Sequence, residues 1–317
     1  MHFKRNAFIP IILSFSLLLS ACSQISSASI ELINEVIDFK TQNKKPIELP
    51  EVASALSNSD IPEYSGFPYI EINDNLPFFT ASDLTTRAFE EYSPLDSLGR
   101  CGAAFANICQ EVMPTKEREY IGMVKPSGWH TTKYDFIDGK YLYNRCHLIG
   151  YQLAGENANN QNLITGTRFL NASTMLPFEN LVANYVKNTD NHVLYRVTPI
   201  FNEDNLLATG LLMEGYSVED KGVGICFNVF CYNVQPGVII DYSTGESYLD
   251  SQSSGASSYS VKKPTFIANI KTKKFHTPDC KSVQDMNVKN KFPLYSTIEE
   301  ALSQGFLPCS SCIGPID

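Results

Sequence analysis

The central segment of this chain reads Tyr143-Asn144-Arg145-Cys146-His147-Leu148-Ile149-Gly150-Tyr151. It lies in a short β-rich run, yet it carries an arginine and a histidine in its middle. The polar side chains that follow are Asn157, Asn159, Asn160, Asn162, Arg168, Asn171 and Glu179. Polar groups among apolar strands are costly unless each has a hydrogen-bond partner or a function. We therefore expect the functional site in this segment.

Short β-rich runs separated by turn residues surround this stretch. They are residues 69–72, 120–124, 133–137, 141–149, 193–200, 206–213 and 226–234. The turn at Asp138-Gly139 is expected to take positive φ at these two residues, as in a hairpin. One segment, residues 177–187, has the apolar spacing of a helix, with proline in its first turn. Strands on both sides of one helix predict an α+β fold with a central antiparallel sheet.

The residue types of the central segment suit phosphodiester chemistry. His147 can act as a general base, because imidazole titrates near neutral pH. Amide and carboxylate oxygens are hard ligands that suit Mg²⁺, which keeps most of its own waters. Arginine offers a planar fork that matches phosphate oxygens. Taken singly, each residue also has an ordinary interpretation, namely a structural histidine, asparagines in turns and arginines on the surface.

Taken together, the pattern resembles a known family. Asn144-Arg145-Cys146-His147 with Asn162, Asn171 and Glu179 resembles the Asp-Arg-Gly-His motif and the following Asn, Asn and Glu of the ββα-metal DNA/RNA non-specific endonucleases. This family includes the secreted and membrane-attached DNA-entry nucleases of Gram-positive bacteria. The resemblance extends over roughly residues 68–242 and implies a ββα-metal nuclease domain, which we place at residues 64–242.

The resemblance also implies roles for single residues. His147 would be the general base that deprotonates water, and Asn171 would bind Mg²⁺ or Mn²⁺. Asn162 would orient His147 or the metal-bound waters, and Glu179 would hold waters of the metal. In-line attack on phosphorus would leave 5′-phosphate ends, with the metal stabilising the charged transition state.

Two arginines are candidates for gripping the scissile phosphate, Arg145 and Arg168, with Arg145 the better match to the family. Because such a site would bind the phosphates and not the base edges, we expect little sequence selectivity on double-stranded or single-stranded nucleic acid. No protein partner is inferable from the sequence.

Two residues depart from the family pattern. Asn144 stands in place of the aspartate and lacks its charge, so we assign it no catalytic role. Cys146 stands in place of the glycine, and we expect it to pack on the face of the strand opposite His147. A cysteine hydrolase built from Cys146 and His147 is therefore not expected.

The N-terminus predicts export. Residues 1–22 combine Lys4-Arg5, an apolar run and Ser20-Ala21-Cys22, a pattern typical of a signal peptide. Its end resembles a lipobox, which would make Cys22 the lipidated anchor to the membrane; a plain secretory signal is the alternative. Residues 23–63 are polar and suit a stalk. Net charge is −9, so an approach to a polyanion depends on local positive charge or on a metal ion.

The C-terminal end has a composition of its own. Residues 243–262 are serine-rich and predict a flexible linker, and residues 263–317 form a small module with seven lysines against five acids. The module contains the set His276, Cys280, Cys309 and Cys312. A Cys₃His set is typical of a closed zinc site, and the segment resembles the Ada-like metal-binding tails of secreted nucleases. A disulfide between two of the three cysteines is the alternative. In the main domain, Cys101 with Cys109 and Cys226 with Cys231 are candidate disulfides in an exported protein.

The sequence therefore predicts an extracellular, metal-dependent endonuclease that hydrolyses DNA, with RNA as a further substrate. It would be held at the outer face of the bacterial cell membrane or secreted. The alternatives are a non-catalytic surface lipoprotein that binds DNA for uptake and a structural surface protein, which would show no Mg²⁺ dependence.

Overall fold

A computed structural model describes residues 45–52, 56, 61–250 and 261–314. The predicted signal peptide, Cys22 and most of the predicted stalk lie outside the described residues. The described part combines a large antiparallel sheet with helices, which confirms the α+β fold. Among the described residues, no helix is both long and apolar enough to cross a bilayer.

The central sheet has six antiparallel strands. In spatial order they are Tyr69–Glu71, Cys226–Tyr232, Gly210–Ser217, Val193–Ile200, Ala104–Ile108 and Phe89–Tyr92. Every residue of Gly210–Ser217 is buried, since this strand lies inside the sheet with apolar clusters on both faces.

A second strand pair and a helix form the ββα part of the fold. Tyr143–His147 pairs antiparallel with Leu163–Thr167, and we call this pair the site ribbon. A π-helical turn, Leu170–Met175, leads from the ribbon into the helix Leu176–Thr189, which we call the site helix. The buried side of the site helix, including Phe178, Val182 and Val186, joins the same core as the central sheet.

Smaller elements complete the domain. A short helix, Tyr151–Ala154, follows the site ribbon's first strand, and a two-stranded sheet pairs Val238–Ile240 with Ser247–Leu249. Part of the segment predicted as a linker is therefore a strand, while residues 251–260 of that segment lie outside the described residues. Short 3₁₀ turns lie at Asn73–Asn75, Ala81–Asp83, Asn160–Asn162 and Val288–Asn290.

The C-terminal module, which we call the tail, has four strands and two short helices. In spatial order its strands are Lys291–Leu294, Phe266–Asn269, Lys274–His276 and Leu307–Pro308. Its helices are Lys281–Gln284 and Ile298–Ser303, the second begun by a capping box between Thr297 and Glu300. Aromatic residues of the tail are continuous with the main core, so the tail packs directly on the main domain.

Three local expectations were wrong. Residues 120–124 and 133–137 contain turns and no strand, and positive φ at the hairpin tip falls on Gly139 and Lys140 and not on Asp138. All eight described cysteines are free thiols. Cys226 and Cys231 occupy one strand, so their five-residue separation corresponds to roughly 16 Å, beyond the reach of a disulfide.

Candidate functional site

His147 lies at the end of the first strand of the site ribbon and is 6% exposed. Its Nε2 lies 2.8 Å from the backbone oxygen of Asn157. Because a carbonyl can only accept, Nε2 carries the proton and Nδ1 holds the lone pair. Burial lowers the pKa of His147 to about 4, with the positive charge of Arg118 contributing in the same direction. The imidazole is therefore neutral at pH 7, with Nδ1 available as a base.

Arg118 is the functional candidate that the sequence did not reveal. Its Nη2 lies 3.4 Å from Nδ1 of His147, which accepts this hydrogen bond. Its charge also acts to lower the pKa of Glu179. It stands in the charged run Lys116-Glu117-Arg118-Glu119, where no local pattern distinguishes it from a solvated surface arginine.

Glu179 lies in the first turn of the site helix. It is 9% exposed, and burial raises its pKa to about 7. Its Oε2 accepts a long hydrogen bond of 3.5 Å from Nε2 of Gln152, and no salt bridge to it occurs in the described part of the chain. A Cβ at Gly150 would lie 2.6 Å from Oε2 of Glu179. Glycine is therefore what allows the carboxylate to sit against the chain just after His147.

Asn171 lies in the π-helical turn and is half-buried. Its Nδ2 donates to Oδ1 of Asn144 over 3.3 Å, and Nη1 of Arg168 reaches the same oxygen at 3.5 Å. Since the amide nitrogen is engaged, Oδ1 of Asn171 is the atom left to accept a cation. Asn144, which we had assigned no catalytic role, thus holds both Asn171 and Arg168 in place.

The two candidate arginines have different surroundings. Arg145 stacks on the ring of Trp129 at 4.0 Å and donates to the backbone oxygens of Val124 and Gly122 at 2.5 and 2.6 Å. Arg168 pairs with the exposed Asp138 at 2.7 Å. An exposed pair of this kind contributes about 0–1 kcal/mol, so a phosphate can replace the aspartate. Nε of Arg168 is buried and has no hydrogen-bond partner in the described part of the structure.

Asn162 is fully buried and acts on the backbone. Its Oδ1 accepts from the N–H of Ile149 at 2.8 Å, and its Nδ2 donates to the oxygen of the same residue at 3.0 Å. It therefore fixes the chain two residues beyond His147.

Cys146 packs as expected. It is fully buried with Sγ 3.3 Å from Sδ of Met175, and burial raises the pKa of its thiol well above the ordinary range. A protonated buried thiol is not a nucleophile.

The tail brings His276, Cys280, Cys309 and Cys312 together. Their ligand atoms all lie within 4.8 Å of one another, and Sγ of Cys280 is 3.6 Å from Nδ1 of His276. Tetrahedral zinc with bonds of about 2.3 Å places its sulfur ligands roughly 3.8 Å apart, so these four side chains can close on one ion. The structure thus contains a candidate metal-binding cluster in the tail.

Comparisons with known proteins agree with this geometry. Residues 82–219 match the family model described as DNA/RNA non-specific endonuclease. The fold is similar to NucA from Streptococcus agalactiae with a magnesium ion bound, with 28% identity and a TM-score of 0.52 over 59% of this chain and 89% of NucA. The metal-free form of the same protein gives 27% identity and a TM-score of 0.52 over 61% and 92% of the two chains. In sequence and in fold, this part of the chain is similar to the DNA/RNA non-specific endonucleases, which supports a nuclease.

Proposed function

We propose that this protein is an exported, Mg²⁺-dependent endonuclease that cuts DNA, and RNA as well, without sequence preference. The observation that carries the proposal is the arrangement of His147. A backbone carbonyl fixes its protonated nitrogen, burial keeps the ring neutral at pH 7, and Arg118 donates to the lone pair of Nδ1.

The residues present fit a divalent cation. Glu179 is a buried carboxylate with no salt bridge in the described part of the chain, so ionising it is costly until positive charge is supplied. The Oδ1 of Asn171 is a hard ligand of the kind Mg²⁺ takes. Asn171 would bind the ion and Glu179 would hold its waters. When bound, Mg²⁺ would stabilise charge on the phosphate and the leaving oxygen.

The chain's own residues would do the remaining work. Nδ1 of His147 would accept a proton from the attacking water, and Asn162 would keep the strand end in position through Ile149. Arg118 would leave Nδ1 for the phosphate, since an arginine binds a phosphate more strongly than a neutral imidazole. Arg145 and Arg168 are the other candidates for contacts to the phosphate.

The test uses supercoiled plasmid and single-stranded RNA, the purified full chain and a Mg²⁺ titration. We expect cleavage that requires Mg²⁺ and that falls by at least 10²-fold in His147→Ala, the lower end for loss of a general base. The matched control is His130→Ala, a half-exposed histidine bonded to the oxygen of Thr244, which should cleave normally. A gel shift without cleavage would instead favour the DNA-capturing lipoprotein, and an absence of both would refute any role in nucleic-acid processing.

For the tail we propose a structural zinc ion held by His276, Cys280, Cys309 and Cys312. A hydrogen bond from the backbone of Ser282 lowers the pKa of Cys280, which suits a metal-binding thiolate. Metal analysis of the purified full chain should find one zinc per chain, lost in Cys309→Ser and kept in the control Cys226→Ser. Retention of zinc by Cys309→Ser would contradict this assignment.

For localisation we propose export and lipid attachment at Cys22, with plain secretion as the alternative. Expressed in a bacterial host, the protein should partition with membranes, and Cys22→Ser should release it to the medium. Release of the unsubstituted protein would favour the secretory signal.

A further inference from the structure

The first turn of the site helix contacts both the candidate site and the tail. Glu179 points toward the site, against Gln152 and Gly150. Its neighbour Phe178 is 3% exposed and points the other way, into a cluster of aromatic rings. The rings around Phe178 belong to Tyr69 at 5.0 Å, Phe227 at 5.1 Å and Phe292 at 5.1 Å.

Phe292 belongs to the tail, so the tail touches the residue next to Glu179. The site helix also meets the turn Val288–Asn290 and the strand Lys291–Leu294 of the tail. The hydroxyl of Tyr69, on the edge strand of the central sheet, donates to the oxygen of Pro293 at 3.3 Å. The contact is therefore a packed interface and not a single ring.

The four candidate metal ligands are attached to the same small core. Phe275, next to His276, is fully buried, and its oxygen accepts from the N–H of Cys309 at 2.9 Å. Phe306, three residues before Cys309, stacks on Phe292 at 6.1 Å. Displacing the ligands would thus disturb the residues that hold Phe292.

Each partner in this interface is held by contacts outside its own segment. A segment as short as residues 261–314 buries too little apolar surface to be held by its core alone, and a metal is a usual remedy. The site helix continues from the π-helical turn without a side-chain cap, so the position of its first turn depends on that turn and on packing against the core and the tail.

We propose that the tail is a positioning element of the nuclease site: Phe292, through Phe178, fixes Glu179, and His276, Cys280, Cys309 and Cys312 keep Phe292 in place by holding a metal ion. The role given to Glu179 and the metal ion in the tail rest on the proposed function; the packing of Phe292 on Phe178 does not. Loss of the tail metal loosens the start of the site helix and leaves the site ribbon unchanged.

Hydrogen–deuterium exchange tests the coupling without catalysis. The full chain carrying His147→Ala is compared with the same chain carrying in addition Cys309→Ser, Phe292→Ala or Phe292→Leu. The matched control adds Cys226→Ser, a cysteine outside the tail. We expect exchange in residues 176–189 to be at least tenfold faster in Cys309→Ser and Phe292→Ala, close to the parent in Phe292→Leu, and unchanged in the control.

Two outcomes would overturn the proposal. One is faster exchange confined to residues 266–308 while residues 176–189 keep the parent rate. The other is a Cys309→Ser chain that has lost its metal ion but in which both segments exchange at the rate of the parent. Slow exchange in Val193–Ile200 shows in each sample that the central sheet is folded. If a variant is globally unfolded, exchange in this strand is fast, and the comparison with Phe292→Leu is used instead.

A kinetic readout separates positioning from plain destabilisation. With His147 intact, Phe292→Ala should lower kcat at least tenfold, leave the KM for plasmid unchanged and require more Mg²⁺. If kcat/KM fell at least tenfold only because KM rose, with kcat unchanged, the result would contradict the proposal that the tail positions Glu179. Should the parent chain not cleave nucleic acid, the proposed function fails, and the exchange result still decides the coupling.

Discussion

Glu179→Gln should make the protein more stable, and increasingly so as the pH rises. The folded chain holds this carboxyl with a pKa of about 7, whereas the unfolded chain ionises it near the ordinary 4.5. Between these values the folded state binds a proton that the unfolded state has released, so stability falls as pH rises through this range. The difference corresponds to about 3 kcal/mol, reached above pH 7. The glutamine variant bears no such cost.

Urea unfolding of both proteins at pH 5, 6, 7 and 8, without added Mg²⁺, measures this difference. The groups facing Glu179 are Arg118, Gln152, Cys146 and Tyr195. Burial raises the pKa values of the Cys146 thiol and the Tyr195 hydroxyl, so both stay neutral between pH 5 and 8. The depressed pKa of His147 affects both proteins equally. The variant should gain about 2.5 kcal/mol on the parent between pH 5 and 8, while the exposed control Glu111→Gln should gain none. If the difference in free energy of unfolding between the two proteins did not change with pH, the proposal that Glu179 is a buried carboxyl with a raised pKa would be refuted.

Three further predictions concern the same site. Gly150→Ala should lower kcat by about 10²-fold, the usual cost of moving a catalytic group by about 1 Å, because the new Cβ displaces Glu179; unaltered turnover would contradict the close packing. Arg118→Ala should raise the pKa of His147 from about 4 toward its ordinary value, as followed by NMR titration, since a positive charge is removed; a lower pKa would be inconsistent with the contact. Cys146→Ala should keep kcat while lowering the free energy of unfolding by about 1–3 kcal/mol, and loss of turnover in a folded variant would restore a catalytic role for the thiol.

Much of the candidate site could be predicted from local sequence. The β-rich run around His147 predicts the strand, and the apolar spacing after Pro177 predicts the helix, because each pattern lies within a single element. The family resemblance then supplied roles for His147, Asn171 and Glu179, and these roles remain predictions. The structure places Glu179 within the electrostatic reach of Arg118, which contacts His147, and it places Asn171 beside Asn144.

The sequence by itself determined the α+β class, the strand and helix that carry the site, and the set of histidine and cysteines in the tail. Each of these follows from residue type and spacing along a short stretch. Only the folded structure shows that Arg118 faces His147, that Asn144 holds Asn171, and that the tail packs on Phe178. These contacts join residues from 27 to 114 positions apart, counted from Asn144 to Asn171 and from Phe178 to Phe292. No local pattern encodes such pairs, because they form only when the burial of apolar surface brings distant elements together.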